Sequence, residues 1–446
     1  MKKILWIIPI IIVLSLFPAP KVRLVDIATG LSPNGFSVVW PPVRYLFEPF
    51  VGLAACVLSF TRYMVQMGSW LVWIGVLTAL YNIVRKKKAV ITAQRVLFAW
   101  LVSVSFILFA ILAPLPAPRL EKPAGYTAVD LHSHTHFSHD GVVSPAQSLV
   151  YHRALGFDRF FVTEHGHTSS FAHFPKNVQM STVLPGMQVQ TTERISLLVL
   201  ADQPYNGADF THRPIRDLIR HAHARGFVVI CPHWWKWRQP SWEELYADGI
   251  DGFEIYNAGY RKFSDAERAK LVRFCGDHNL IMTGSTDWHG WGRISDVWTV
   301  AATGDRSVPL FEQLRRHAGM TVLVYRIHGV NTTARYLFEP FVGLYYYFGG
   351  LAAPGLAGWI IWIFFIYCAS FVKGIRWFRI LALGLGTIFA GMTVYYLVRW
   401  IPLLPENQIL GRLLSPILFT VGLGWFLFAW REPFARCGSP AQKNET

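Results

Sequence analysis

Apolar residues fall along this chain in two regimes. In the first, long runs carry hardly a charge: Gly68–Val84, Val96–Leu115, Gly355–Val372, Ile380–Val398 and Leu413–Trp430. These are of the length, roughly 20 residues, that a helix needs to cross a ~30 Å hydrocarbon core. A shorter run, Ile4–Phe17, follows Lys2 and Lys3 and ends at Phe-Pro-Ala-Pro with no small-x-small cleavage site, so it reads as a signal anchor. The second regime begins at Tyr126, where short apolar runs alternate with helical patterns. Strand candidates are Tyr126–Leu131, Arg159–Thr163, Val183–Val189, Ile195–Leu200, Phe227–Cys231, Gly252–Tyr256, Leu280–Gly284, Val297–Ala301 and Thr321–Tyr325. Helices fall between several of them, at Pro145–Leu155, Pro214–Arg225, Asp265–His278 and Val308–His317. That order predicts a parallel β/α barrel or a related closed sheet. The whole reads as a polytopic α-helical membrane protein with an inserted α/β domain. Its parts are an N-terminal membrane region over 1–118, the inserted α/β domain over 119–330 and a C-terminal membrane region over 331–446.

The two membrane regions share a pattern. Residues 44–53 read RYLFEPFVGL, and residues 335–344 read the same. Trp70, Trp73 and Ile74 match Trp359, Trp362 and Ile363, and the basic stretch Arg85–Lys88 matches Lys373 and Arg376. The reading is a duplicated membrane unit with the α/β domain inserted between its copies. Arg44/Glu48 and Arg335/Glu339 are four apart, hence on one face of a helix. They predict an ion pair at the membrane surface; the alternative is a pair of related sites for an anionic headgroup. Phe50–Phe60 and Phe341–Ala353 are too short to span and read as interfacial or re-entrant.

Charge then fixes sides and excludes a partner. The net charge is +15, which could suggest nucleic acid, but Leu115–Val330 holds 22 Lys+Arg against 21 Asp+Glu. The excess therefore lies in the membrane parts, and no nucleic-acid partner is expected. With Lys2, Lys3, Arg85–Lys88, Lys373–Arg379, Arg431, Arg436 and Lys443 inside, the central domain faces the extracytoplasmic side of a bacterial inner or plasma membrane. The five Cys show no paired spacing and read as small buried hydrophobes.

All 16 His lie between His132 and His328, so the chemistry belongs to the central domain. His132 and His134 follow the first strand, Glu164 and His165 the second, Gln188 closes the third, His233 follows Phe-Val-Val-Ile-Cys, and Asp287 and His289 follow Met-Thr-Gly. One H-x-H alone is weak evidence. Ligand types at five strand ends, where barrels collect their active sites, point to a metal centre. Imidazole with carboxylate suits Zn, Mn or Fe.

These residues resemble the PHP family, the polymerase and histidinol phosphatase domain, over about residues 127–330. Val129-Asp-Leu-His-Ser-His-Thr-His-Phe-Ser-His-Asp-Gly141 is similar to the family's D-x-H-x-H-x-x-x-S-x-D-G. Thr163-Glu-His165 resembles T-D-H, Cys231-Pro-His233 the A-H-P region, Asp251-Gly-Phe-Glu-Ile-Tyr-Asn257 the D-G-I-E-V-Y-N strand, and Gly284-Ser-Thr-Asp-Trp-His289 the closing G-S-D-x-H. The resemblance implies a distorted (β/α)7 barrel that hydrolyses phosphate esters with two or three metal ions. It implies His132, His134 and Asp287 as ligands of a first ion, Asp140, His165 and His289 of a second, and His233 of a third. Two positions depart. Gln188 stands where a bridging Glu is usual, and Ser196 where a His is usual, both at the third ion's site. Glu193, close by in sequence, is a possible substitute ligand. At most two divalent ions are therefore expected, with Asp287 and His233 as catalytic residues, and His233 free to contact phosphate with Lys236 or Arg238 near it. The stretch His233-Trp-Trp-Lys-Trp-Arg238 is equally a candidate substrate wall or membrane-interface contact.

The function expected is a membrane-anchored, metal-dependent phosphoric ester hydrolase acting on a phosphorylated substrate, lipid-linked or envelope-derived, beside membrane lipids. The alternative is a catalytically impaired PHP-like ligand-binding or sensory domain coupled to a membrane module, which Gln188 and Ser196 favour. A transporter with a regulatory domain rests on the duplicated helices alone.

Overall fold

The computed structural model describes residues 5–17, 23–57, 63–112, 117–236, 240–258, 264–290, 296–303, 310–317, 319–326, 337–369, 377–395, 397 and 409–431. Lys2, Lys3, Arg238, Arg335, Lys373, Arg376, Arg436, Lys443 and the link 328–334, all used in the sequence reading, lie outside the described residues. In chain order the elements are α1 (Ile7–Ser15), β1 (Arg23–Asp26), β2 (Ser37–Val39), α2 (Val43–Leu46), α3 (Glu48–Val57), α4 (Tyr63–Val84) and α5 (Ala89–Leu112). The α/β part follows as β3 (Arg119–Glu121), β4 (Tyr126–Asp130), α6 (Pro145–Ala154), β5 (Arg159–His165), β6 (Val183–Gln190), β7 (Ser196–Leu200), α7 (Ile215–His223), β8 (Val228–Cys231), α8 (Trp242–Ala247), β9 (Gly252–Asn257), α9 (Asp265–Asp277), β10 (Ile281–Ser285), β11 (Val297–Ala302), α10 (Leu310–Arg315) and β12 (Met320–Arg326). Among the described residues the helices that follow are α11 (Glu339–Gly349), α12 (Ala353–Ala369), α13 (Trp377–Tyr395) and α14 (Ile409–Arg431).

Ten strands form one sheet in the order β1-β12-β11-β4-β5-β6-β7-β8-β9-β10. The sheet is mixed. β4, β5 and β6 run parallel, as do β8, β9 and β10, but β7 is antiparallel to both its neighbours and β11 is antiparallel to β4 and β12. The expected all-parallel arrangement fails at β6–β7 for a countable reason. Only Thr191–Ile195 separate these strands, enough for a hairpin and too few for a crossover. The sheet curls until β10 meets β11. Thr299 Oγ1 on β11 accepts from the Gly284 amide at 2.8 Å and donates to its carbonyl at 2.7 Å. Glycine is required there, because a Cβ would stand 2.4 Å from Val322 Cγ1. The product is a barrel-like domain whose strands, buried on both faces, read as continuous apolar runs such as Val-Val-Ile-Cys in β8.

Two short N-terminal strands join this domain from outside the span expected for it. β1 pairs with β12, Arg23 opposite Arg326, and β2 pairs with β3. Residues 23–39 therefore lie against the barrel, although the sequence reading had placed 1–118 with the membrane helices.

At the N-terminal ends of the strands, away from the candidate site, Asp251 is shared by His223 (2.9 Å) and His317 (3.3 Å). The hydrogen bonds to Asp251 raise both imidazoles above their ordinary 6.5. A histidine whose folded pKa lies above its unfolded value adds stability in full below about 6.5, and that stability is lost as pH rises through the raised value. The melting temperature of the wild type should therefore exceed that of His317→Asn by more at pH 6 than at pH 8.5. A difference that stays constant across that range would contradict this coupling.

Among the described residues, two helices are long and apolar enough to cross a membrane, over Met67–Val84 and Ala89–Leu108. The pair α11–α12 is bent by 112° and counts as a third only if taken as one broken span. Only 17% and 11% of the two windows are buried, so Leu80, Leu97 and their neighbours face outward, as they would toward lipid. The identical segments grip each other reciprocally. Trp73 Nε1 donates to the Leu337 carbonyl, and Trp362 Nε1 to the Leu46 carbonyl, each at 2.7 Å. Trp73 packs on Phe338 and Phe341 while Trp362 packs on Phe47 and Phe50. In these contacts each residue's partner is the counterpart of the other's. Within the first copy, Arg44 pairs with the buried Glu48 at 3.2 Å.

Candidate metal centre

The site gathers where β4, β5, β6, β8 and β10 end. His132 and His134 leave β4 on one face, two residues apart. Asp130, at the end of β4, holds the base of this turn: Oδ1 accepts from the amides of His132 and Thr286, and Oδ2 contacts His152 Nε2 at 3.1 Å. Glu164 at the end of β5 accepts from the Thr135 amide at 3.0 Å and from Ser138 Oγ, fixing the loop that carries Asp140.

Asp287 Oδ1 stands 3.2 Å from His132 Nε2 and 3.4 Å from His134 Nε2. Asp140 Oδ1 stands 3.3 Å from both His165 Nε2 and His289 Nε2. His134 lies between the two groups, stacked on His165 and on His289 with ring centroids 4.4 and 4.2 Å apart. Ligand atoms of His132, His134 and Asp287 all fall within 4.8 Å of one another, and so do those of His134, His165 and His289. A third, more open group is His139, Asp140 and His165.

The charge pattern is that of a cation site. Burial opposes ionisation of Asp140, but His289 and His165 hold its carboxyl well below the usual carboxylate range. Asp287 behaves alike beside His132 and His134. Burial and the neighbouring imidazoles keep His134 well below 6.5, whereas His132 and His289, despite burial, are lifted to about 9 by their carboxylates. The Nε2 atoms of His134, His165 and His289 are buried without a hydrogen-bond partner among the described residues. Converging buried imidazoles with carboxylates at their edge are a donor set that fits divalent metal ions.

The remaining candidates divide. Gln188 is in the site: its Oε1 lies 3.2 Å from His132 Nε2, and its Nε2 lies 3.4 Å from His233 Nε2. His233 also lies against the first group directly, its ring centroid 5.7 Å from that of His132. Ser196 pairs with Gln190 as Leu198 pairs with Gln188, so it shares the face of Gln188 nearer the barrel mouth. Glu193 is engaged elsewhere, its carboxylate accepting from the Ile215 amide at the start of α7 at 3.2–3.3 Å. The sequence reading gave no role to Asp130, His152 or Glu254, whose Oε1 contacts His132 Nδ1 at 3.2 Å. A fully buried carboxylate inside an apolar strand was the available signal for Glu254.

No protein family's profile matches the chain, and no curated protein does. Solved structures do. A two-domain protein of Bacteroides vulgatus containing a predicted PHP-like metal-dependent phosphoesterase is 22% identical, aligned over 48% of this chain and 71% of its own, with a TM-score of 0.37. A Bifidobacterium adolescentis protein, provisionally described as a metal-dependent phosphoesterase, is 18% identical over 39% of this chain and 91% of its own, TM-score 0.33. An amidohydrolase of Chromobacterium violaceum is 13% identical over 44% of this chain and 98% of its own, TM-score 0.31.

Proposed function

We propose that this chain is a membrane-anchored, metal-dependent phosphoesterase of the PHP type. The observation that carries the reading is the pair of adjoining ligand groups, His132/His134/Asp287 and His134/His165/His289, joined through His134. His132, His134 and Asp287 would hold one ion, and His165 and His289, with Asp140 3.3 Å from both, a second. Bound divalent ions supply positive charge for a phosphoryl group and activate water. The chain's own residues do the rest. Asp140 and Asp287 stay ionised and set the charge of the floor. Gln188 offers a neutral carbonyl oxygen to the first group and turns its amide nitrogen toward His233. His233, held beside the ion positions, is placed to contact phosphate or the leaving group. Gln188 carries no charge to screen a third cation from its neighbours, so two ions is the capacity proposed.

The test is a screen of phosphate monoesters and diesters with purified, Mn²⁺- or Zn²⁺-loaded protein in detergent. Hydrolysis that a chelator abolishes is expected. Metal-loaded protein that turns over none of them would overturn the reading. The barrel's attachment to helices before β1 and after β12 favours a phosphate carried on a lipid or an envelope component. Faster turnover of soluble sugar phosphates, with none of lipid phosphates, would count against that substrate.

The membrane reading is supported by the strand pairing. Because β1 and β2 pair with β12 and β3, residues 23–39 and the barrel share a side. The chain between them then crosses an even number of times, which α4 and α5 satisfy if α3 lies along the surface. With the basic clusters inside, that shared side is extracytoplasmic. A cysteine introduced at Val150, an exposed position on α6, should react with a membrane-impermeant thiol reagent in intact cells; protection until lysis would place the barrel on the other side.

A further inference from the structure

We infer that Glu254, with Asn257 beside it, is the positioning device that sets His132 and Asp287 for metal and holds His233 beside them. The inference rests on the metal-dependent reading above. Glu254 and Asn257 sit on β9, which supplies none of the candidate ligands, and both are buried. Glu254 Oε1 lies 3.2 Å from His132 Nδ1. On the opposite edge of that ring, Nε2 faces two oxygens, Asp287 Oδ1 and Gln188 Oε1, each at 3.2 Å. With its Nδ1 proton directed to Glu254, the ring keeps Nε2 as the nitrogen that gives up its proton to an incoming cation, at the place where those oxygens converge.

The second oxygen does further work. Glu254 Oε2 accepts from the His233 amide at 2.8 Å and from Asn257 Nδ2 at 2.9 Å, and the same Nδ2 reaches Asp287 Oδ2 at 3.2 Å. His233 and Asp287 both have left-handed backbone, with φ of 30° and 48°. Neither is glycine, so each is held against a steric preference, and each is held in part by this pair. One carboxylate thus orients an imidazole and pins a strained amide, and its amide partner restrains the carboxylate of the second strained residue. A buried, hydrogen-bonded carboxylate behind a ligand imidazole also strengthens that imidazole as a donor.

The experiment is Zn²⁺ and Mn²⁺ titration of the full-length protein in detergent, with the melting temperature of the metal-free form read in parallel. Glu254→Gln keeps the side chain's shape but loses its charge and one acceptor. Its affinity should fall by about 10–100-fold while the metal-free melting temperature stays close to the wild type. Asn257→Ala should weaken binding less. The double variant should lose less than the two single losses combined, because both act through Oε2. Glu193→Gln, at the α7 cap, should bind as the wild type does. Unchanged affinity in Glu254→Gln, or additive losses in the double variant, overturns the inference and leaves the metal reading standing. So does an affinity loss matched by an equal collapse of the metal-free protein, which would make Glu254 a structural residue only. A wild type that binds neither ion overturns both.

Discussion

Asp287→Ala is expected to lower bound metal from the two ions proposed to one or none and to reduce the proposed phosphoesterase turnover by about 10³-fold or more, roughly 4 kcal/mol of transition-state stabilisation. Its Oδ1 faces both His132 and His134, so one truncation removes the carboxylate at the first group's centre. The loss extends to the neighbours. Asp287 helps raise His132 and His289, and without it these buried rings lose a compensating charge. Gln188→Glu works in the opposite direction, adding a carboxylate 3.2 Å from His132 Nε2, and should tighten metal binding. With Ser196→His added on the same face, a third ion gains a place. Elemental analysis of the purified variants reads all three. Three ions in the unmodified protein, or full metal and activity in Asp287→Ala, would refute this description of the site.

The second large effect belongs to the helices. Gly358 on α12 lies so close to α2 that a Cβ there would stand 2.0 Å from the Tyr45 carbonyl oxygen. Backbone cannot swing aside as a side-chain tip can. Gly358→Leu should therefore break the reciprocal Trp73/Trp362 grip at a cost above the ~1–3 kcal/mol usual for overpacking. The result read is a large drop in melting temperature in detergent and in the yield of monodisperse protein. Gly391→Leu is the control, since a Cβ there meets nothing within 4 Å. Gly358→Leu protein as stable as that control would show that the close approach is not maintained.

Much of the candidate site was legible because its signal is local. His132, His134, His165, Asp287 and His289 each stand at the end of a recognisable apolar run, and ligand-type residues recurring at strand ends suggest a shared purpose before any contact is known. The mixed sheet was partly legible: the short Thr191–Ile195 link forces β7 to turn back, although residue alternation alone shows no strand direction. Glu254 was harder. It occupies one position of an apolar strand, and its value depends on an imidazole from β4, an amide after β8 and an Asn three residues on. Glu193 looked available because sequence distance to the site is short, yet α7 begins beside it and takes its carboxylate. β1 offered four residues, too few for any period to show.

That small strand has a consequence in time. β1 is made before α4 and α5, and its partner β12 only after both helices and the rest of the barrel have followed. Until then β1 is an unpaired edge, able to template a wrong neighbour. Its ends carry Arg23 and Asp26, and Asp26 makes its own tight turn to Ala28 and Thr29, which keeps the edge short and charged while it waits. Once Arg326 arrives opposite Arg23, the earliest strand of the sheet covers the latest, and this pairing becomes a checkpoint that a chain truncated before residue 320 cannot pass.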